Sequence, residues 1–179
     1  MKSKYIILFF LFINQLSGTP KVANASFANK VILEIEDPSN GEKIDMEILS
    51  YSHSLLMPLV GAKQDPSFQA NFQDFKISRF GDLHTSYFYQ KCVSGERIPQ
   101  VTLSYFKVLK KENSSYQYIQ IQLKNVLVTS VSIGGGADIP IETIAFAYKQ
   151  IYITISTPSK TNRSGFDSKT FSYDLTLTH

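Results

Sequence analysis

At 179 residues the chain is long enough for one domain with a sizeable core, and 43 % hydrophobic residues set it apart from disordered chains. Its formal charge of +3 comes from the first 25 residues, where Lys2, Lys4 and Lys21 stand without an acid; beyond them bases and acids balance at 15 each. That balance argues against nucleic acid as a partner, because little counterion release is available, and the single cysteine, Cys92, excludes an intrachain disulfide.

The N-terminus reads as an export signal spanning residues 1–25. Lys2 and Lys4 precede an apolar run from Tyr5 to Ile13, too short for a membrane-spanning helix, which needs about 20 residues. Ala23-Asn24-Ala25 offers small residues for cleavage before Ser26, with Leu16-Ser17-Gly18 as a second place for it. Thr19, where a lipoprotein signal would carry Cys, argues against a lipid anchor. A first strand or an uncleaved anchor is the alternative. With cleavage, no stable membrane insertion is expected.

Residues 26–179 read as a single domain made of strands. The chain has 13 Phe and 10 Tyr, and Ile, Val and Thr are abundant, which favours strand over helix. Lys30 to Glu36 and Ile44 to Ser52 are strands on either side of Asp37-Pro38-Ser39-Asn40-Gly41, a segment rich in turn chemistry. Ser54 to Pro66 reads as a long loop. Its Leu55, Leu56, Met57, Leu59 and Val60 are unusually apolar for solvated chain, so it folds onto the domain or packs on a neighbour. Phe68 to Arg79 is a third strand, with Phe72 and Phe75 out of strict alternation. Thr85 to Val93 is the best helix, with Thr85 as its expected N-cap and Gly95 as its stop. Val101 to Leu109 alternates. Tyr118 to Ser132 is a long strand whose apolar parity shifts after Asn125, which predicts a bulge or bend. Gly134-Gly135-Gly136 is a turn. Ile141 to Ser156 reads as one strand, apolar on both faces, so a helix or a second subunit is expected to cover its outer side. Phe171, Tyr173, Leu175 and Leu177 close the chain as an alternating strand. The expected class is mainly β, a barrel or sandwich with one short helix.

No set of residues points to chemistry. His53, His84 and His179 are far apart and lack zinc spacing. Cys92 has no base beside it, and the Gly134 turn lacks the lysine of a phosphate loop. No catalytic residue, cofactor or metal is expected.

Several segments, in order, resemble the haemolysin-coregulated protein (Hcp) family of type VI secretion systems. Ile48-Leu49-Ser50-Tyr51-Ser52-His53 is similar to the family's second strand, with Tyr51 and His53 where tryptophans are usual. Phe75 to Phe80, Asp82, Thr85 and Cys92-Val93-Ser94-Gly95 follow the family's strand, helix and stop. Tyr118 to Ser132 resembles its tyrosine-led strand running into a Val-Ser-Ser-Val-Ser segment, then Gly134 to Gly136 and Pro140-Ile141-Glu142. Tyr173-Asp174 stands where Trp-Asp is usual. The resemblance covers residues 30–177 and implies a small antiparallel β-barrel with one short helix on its side. It also implies homohexameric rings stacked into a secreted tube, with a spike-tip protein, a contractile sheath and small effector cargo as partners. By the same resemblance, Ser52 is the candidate lumen-facing residue. Leu55, Leu56, Met57, Leu59 and Val60 form the candidate ring-stacking loop. The signal departs from the family, whose members normally lack one, so either the start is a misassigned extension or the alternative holds, an exported Hcp-like β-domain binding a ligand or host surface from the periplasm or outside the cell.

Overall fold

The computed structural model describes residues 22–24, 29–37, 42–57, 70–109, 114–161 and 165–177. Among the described residues, twelve strands and one helix follow one another. They are β1 (Val22–Asn24), β2 (Lys30–Asp37), β3 (Glu42–Glu47), β4 (Ser50–Ser52), β5 (Leu55–Leu56), β6 (Asn71–Phe72) and β7 (Phe75–Phe80). After α1 (Thr85–Ser94) come β8 (Ile98–Leu109), β9 (Ser114–Gly134), β10 (Ile141–Ala147), β11 (Gln150–Pro158) and β12 (Phe166–Asp174).

The main sheet is antiparallel and runs β3-β2-β8-β9-β10-β7-β4. Its end strands, β3 and β4, do not pair with each other, but they are consecutive in the chain. Between them the Ile48 N–H donates to the Val31 carbonyl on β2 at 3.0 Å, and the Leu49 N–H donates to the Ser78 carbonyl on β7 at 2.8 Å. One segment thus joins both edges of the curled sheet, which wraps Leu33, Ile77, Val101, Leu123, Ile144 and Phe146 into a common core.

β9, at 21 residues, is the spine. It pairs with β8 on one side and, on the other, with β1, then β11, then β10. The bend expected after Asn125 is there: Asn125 has φ +55°, a conformation that asparagine tolerates better than most residues. The neighbouring strands yield at the same level. Pro99, which has no N–H to give a ladder, stands between the pairs Ile98–Val126 and Gln100–Lys124. On the other side Tyr148 and Lys149 break the run from Ile141 to Ser156 into β10 and β11. This corrects the expectation of one long strand with two apolar faces. The break resets the alternation, so Ile144, Phe146, Tyr148 and Ile151 are all buried, while Ile141 and Ile155 near the two ends of the run are exposed.

Three other expectations change. The Phe68 to Arg79 strand is interrupted at Gln73-Asp74, which places Phe72 on β6 and Phe75 on β7 and removes the parity conflict. Part of the Ser54 to Pro66 loop is the short strand β5, paired with β6. The last strand ends at Asp174, beyond which Leu175 and Leu177 are exposed.

The helix stops as expected at Gly95, in the left-handed region at φ +66°, with its N–H donating to the Lys91 carbonyl. Its start differs: His84, not Thr85, holds the cap position and its side chain makes no capping bond. Instead Asp82 accepts the His84 N–H at 2.7 Å, while the Thr85 hydroxyl accepts the Asp82 N–H at 3.1 Å. Phe88 drives into the core against Phe146, ring centroids 6.2 Å apart.

Two buried ion clusters pin the ends of the helix. Lys91 lies 2.8 Å from Asp37 and 2.9 Å from Glu96, with Asp37 also accepting the Tyr87 hydroxyl. Burial pulls the Lys91 ammonium down, but the bonds and charges of Asp37 and Glu96 outweigh it and leave its pKa raised. Arg79, 2 % exposed, pairs with Asp82 ahead of the helix and lies 3.2 Å from Glu142, which is fully buried. The Arg79 Nε–H is directed at the Phe80 carbonyl rather than at Glu142, so charge rather than a hydrogen bond holds that carboxylate.

Candidate functional site

Ser52 lies on β4 with its side chain exposed, and strand register shows what surrounds it. β4, β7, β10 and the last third of β9 lie side by side, so residues in register form rows across four strands. One row reads Ser50, Ser78, Thr143, Ser132; the next reads Ser52, Lys76, Ala145, Ser130. The Ser50 and Ser78 hydroxyls are 2.7 Å apart. The alternate residues Tyr51, Ile77, Ile144 and Val131 turn inward, as period-2 geometry requires. The result is an outward face of small hydroxyl side chains with Lys76 as its formal charge.

The β2–β3 side of the molecule is unlike this face, although β11 and β12 carry hydroxyl pairs of their own, Thr154 with Thr170 and Ser156 with Ser168. The outward side of β2 and β3 carries Glu34, Glu36, Lys43, Asp45 and Glu47, laced by Lys30–Glu47 and Lys43–Glu34 ion pairs. Such exposed pairs contribute little stability, typically under about 1 kcal/mol. They mark a surface made for water.

At the foot of β4 the ladder splits. The β4–β7 pairing stops at Ser52–Lys76 and the β5–β6 pairing begins at Leu55–Phe72, bridged by the Gln73 N–H donating to the Ser54 carbonyl at 3.1 Å. The split opens a cleft of about 480 Å³ edged by Ser52, Gln73, Asp74 and Lys76. On its wall, Nε2 of His53 is 2.6 Å from the Tyr148 hydroxyl, and the His53 ring leans on Phe75. Burial lowers the His53 pKa, favouring the neutral ring. Burial, and then the Asp74 charge, raise that of the Tyr148 phenol. Asp74 accepts the Thr129 hydroxyl at 2.6 Å. His53 thus packs in the wall, and among the described residues no group of His, Cys, Asp and Glu could hold a metal ion.

The two ends of β7 are apolar. At one end Leu55, Leu56 and Met57 are exposed on and beside β5, and the β5–β6 ladder is held to β12 by Phe72 stacked on Tyr173 at 4.6 Å. Leu59 and Val60, read as part of the same apolar segment, lie outside the described residues. At the other end, about 17 Å away for a strand of this length, Phe80 and Ile141 face each other across the ladder, with Ile139 and Leu83 nearby in the chain and exposed. Leu83 is 93 % exposed. Sequence reading found Ser52 and the Leu55 segment, but not Ser78, Thr143, Ser130 or Ser132, which only register brings together, nor the apolar end at Phe80.

Comparison with known proteins places the chain. Residues 36–155 match the family model described as type VI secretion system effector, Hcp. Protein hcp1 of Pseudomonas aeruginosa is 29 % identical over 122 residues, 67 % of this chain and 74 % of that protein. Among solved structures, Hcp1 of the E. coli EAEC 042 pathovar superposes with a TM-score of 0.67 at 18 % identity, covering 83 % of this chain and 99 % of that one. Hcp1 from Salmonella typhimurium gives 0.61 at 18 % identity, over 83 % and 96 %.

Proposed function

The chain belongs to the Hcp family of type VI secretion system proteins, and on that premise we propose that it is a tube subunit. About six copies close into a ring through a heterologous interface. Rings stack, and the tube works with a contractile sheath and a spike-tip protein, carrying small effectors in its lumen. It acts by shape and surface rather than by catalysis. The observation that carries this reading is the contrast between the hydroxyl face around Ser52 and the charged, ion-paired face of β2 and β3. The hydroxyl face is the lumen wall, and the charged face points away from the lumen. The apolar ends of β7 are the stacking faces, Leu55, Leu56 and Met57 at one and Phe80 and Ile141 at the other. Apolar clusters of this kind mark association surfaces.

Residues 1–25 act as a cleavable signal, which delivers the remaining domain to the periplasm or beyond. A mature chain beginning at Ser26 loses β1, which among the described residues pairs with three residues of β9, and keeps the rest of the described sheet. An exported β-domain working outside any tube is the second reading, favoured by that signal alone.

Two variants test the wall and the stacking face together. Ser52→Glu should fold with a stability change within about 0.5 kcal/mol, as for an exposed site, and keep its particle size. Leu55→Ser combined with Leu56→Ser should leave stability and ring mass unchanged while shortening the tubes seen by electron microscopy. Unfolding of Ser52→Glu, or tubes of normal length from the double variant, would count against these assignments.

A further inference from the structure

The two long hairpins of the sheet turn at one end of the molecule. β8 leads into β9, with Lys107 opposite Tyr116 and Leu109 opposite Ser114. β11 leads into β12, with Pro158 opposite Phe166. Because β11 runs antiparallel to β9, with Ile155 opposite Ile119, its last residues lie level with the first residues of β9. Aromatic contacts tie the hairpins together there: the Tyr116 ring lies 5.0 Å from that of Phe166 and 6.4 Å from that of Tyr118. The bend at Asn125 separates this end from the hydroxyl face.

This end is basic. Lys107, Lys160 and Lys169 are exposed, and none of them is in an ion pair among the described residues. Lys107 lies over Tyr118 at 5.0 Å. Over residues 107–116 and 157–169 the sequence carries six bases against two acids, Glu112 and Asp167, which leaves nine bases against thirteen acids in the rest of the chain beyond residue 25. The formally neutral domain is therefore a charge dipole with its positive pole at the two hairpins.

The N-terminal segment reaches the same end. β1 pairs with Ser114–Tyr116, and Asn29 accepts the Val108 N–H at 3.2 Å. The cleavage position before Ser26 lies in sequence between these two contacts. The apolar run ends at Ile13, and the eight residues from there to β1 span at most about 29 Å when extended. A bilayer that takes up the apolar run therefore meets this end of the domain.

We infer that this basic end is a docking surface for an anionic bilayer. The inference rests on the reading of residues 1–25 as an export signal and names the surface on which the released domain settles. Charge complementarity selects an anionic partner: lysines beside lipid phosphates gain an attraction that falls away within a Debye length. The place of the apolar run selects a bilayer over other polyanions. The contact is peripheral. Tyr116 is buried and Tyr105, Tyr118 and Phe166 are half-buried, so the lysines make it rather than an inserted ring. A closed ring repeats this end once per copy at one level, so weak single contacts add.

The test uses the chain from Ser26, whose core residues all lie beyond residue 30. It is sedimented with vesicles of phosphatidylglycerol mixed with phosphatidylcholine, or of phosphatidylcholine alone. At low salt the anionic vesicles should bind it about tenfold more tightly, and the preference should fade at high salt. Lys107→Glu, Lys160→Glu and Lys169→Glu combined should abolish the preference, and the milder Gln substitutions at the same three positions should reduce it at an unchanged melting temperature. Lys43→Glu, Lys124→Glu and Lys149→Glu combined make the same change in net charge away from this end and should keep most of it. Equal binding to both vesicles, an equal loss in the two triple Glu variants, or displacement from the vesicles by single-stranded DNA at equal phosphate concentration would overturn the inference. Mass spectrometry of the exported protein reads the signal separately: an intact N-terminus, with the vesicle preference unchanged, would defeat the signal reading and leave the docking surface in place.

Discussion

Truncating Phe146 to Ala is expected to lower the free energy of unfolding by about 3–5 kcal/mol, the range for deleting a fully buried phenylalanine ring. Phe146 has no exposed surface and meets Phe88 edge to face, so it holds β10 and the helix to one another. Deleting it removes buried apolar area and leaves a void beneath the helix, which the two ion pairs of Lys91 keep from sliding inward. Urea unfolding followed by tyrosine fluorescence measures the loss, and the melting temperature should fall by roughly 10 °C. A loss below about 1 kcal/mol would mean that the helix does not seal the core at this point.

Breaking the buried ion cluster should cost as much. Arg79→Met leaves Glu142, fully buried, without its cation, and separating such a pair typically costs about 3–5 kcal/mol. Glu142 has no hydrogen bond to fall back on. Removing both charges in Arg79→Met with Glu142→Leu should recover all but about 1 kcal/mol, since the methionine can pack on Met46 and Phe88, which Arg79 now touches. A double variant as unstable as Arg79→Met alone would show that Arg79 matters chiefly through Asp82, on the way into the helix.

Much of this fold is legible in the sequence because it is local. The parity shift after Asn125 predicts the bend, and the backbone there takes the left-handed conformation. Gly95 predicts the end of the helix and supplies it. The features that sequence does not reveal depend on contacts far apart in the chain. The run from Ile141 to Ser156 reads as continuous because both of its halves alternate; only the bend of β9 opposite shows why it must break at Tyr148. Arg79, Lys91 and Glu142 read as surface residues by composition, since lone charges are seldom buried, and they go inside because their partners come from other strands. Thr85 has the chemistry of a cap but sits one residue too late, its hydroxyl engaged by the Asp82 N–H. For the candidate site, resemblance supplied Ser52, while Ser78, Thr143, Ser130 and Ser132 have no sequence signal as a group. Serines and threonines are common on strands, and their meeting is a matter of register.

The central claim, that this chain works as a ring, is tested most directly by the mass of the particle it forms. The chain from Ser26 onward, purified and measured by multi-angle light scattering up to high micromolar concentration, should give a particle of about six times the single-chain mass, closed by one repeated heterologous contact. A single-chain mass over the whole range would contradict the account and leave the exported, unassembled β-domain in its place.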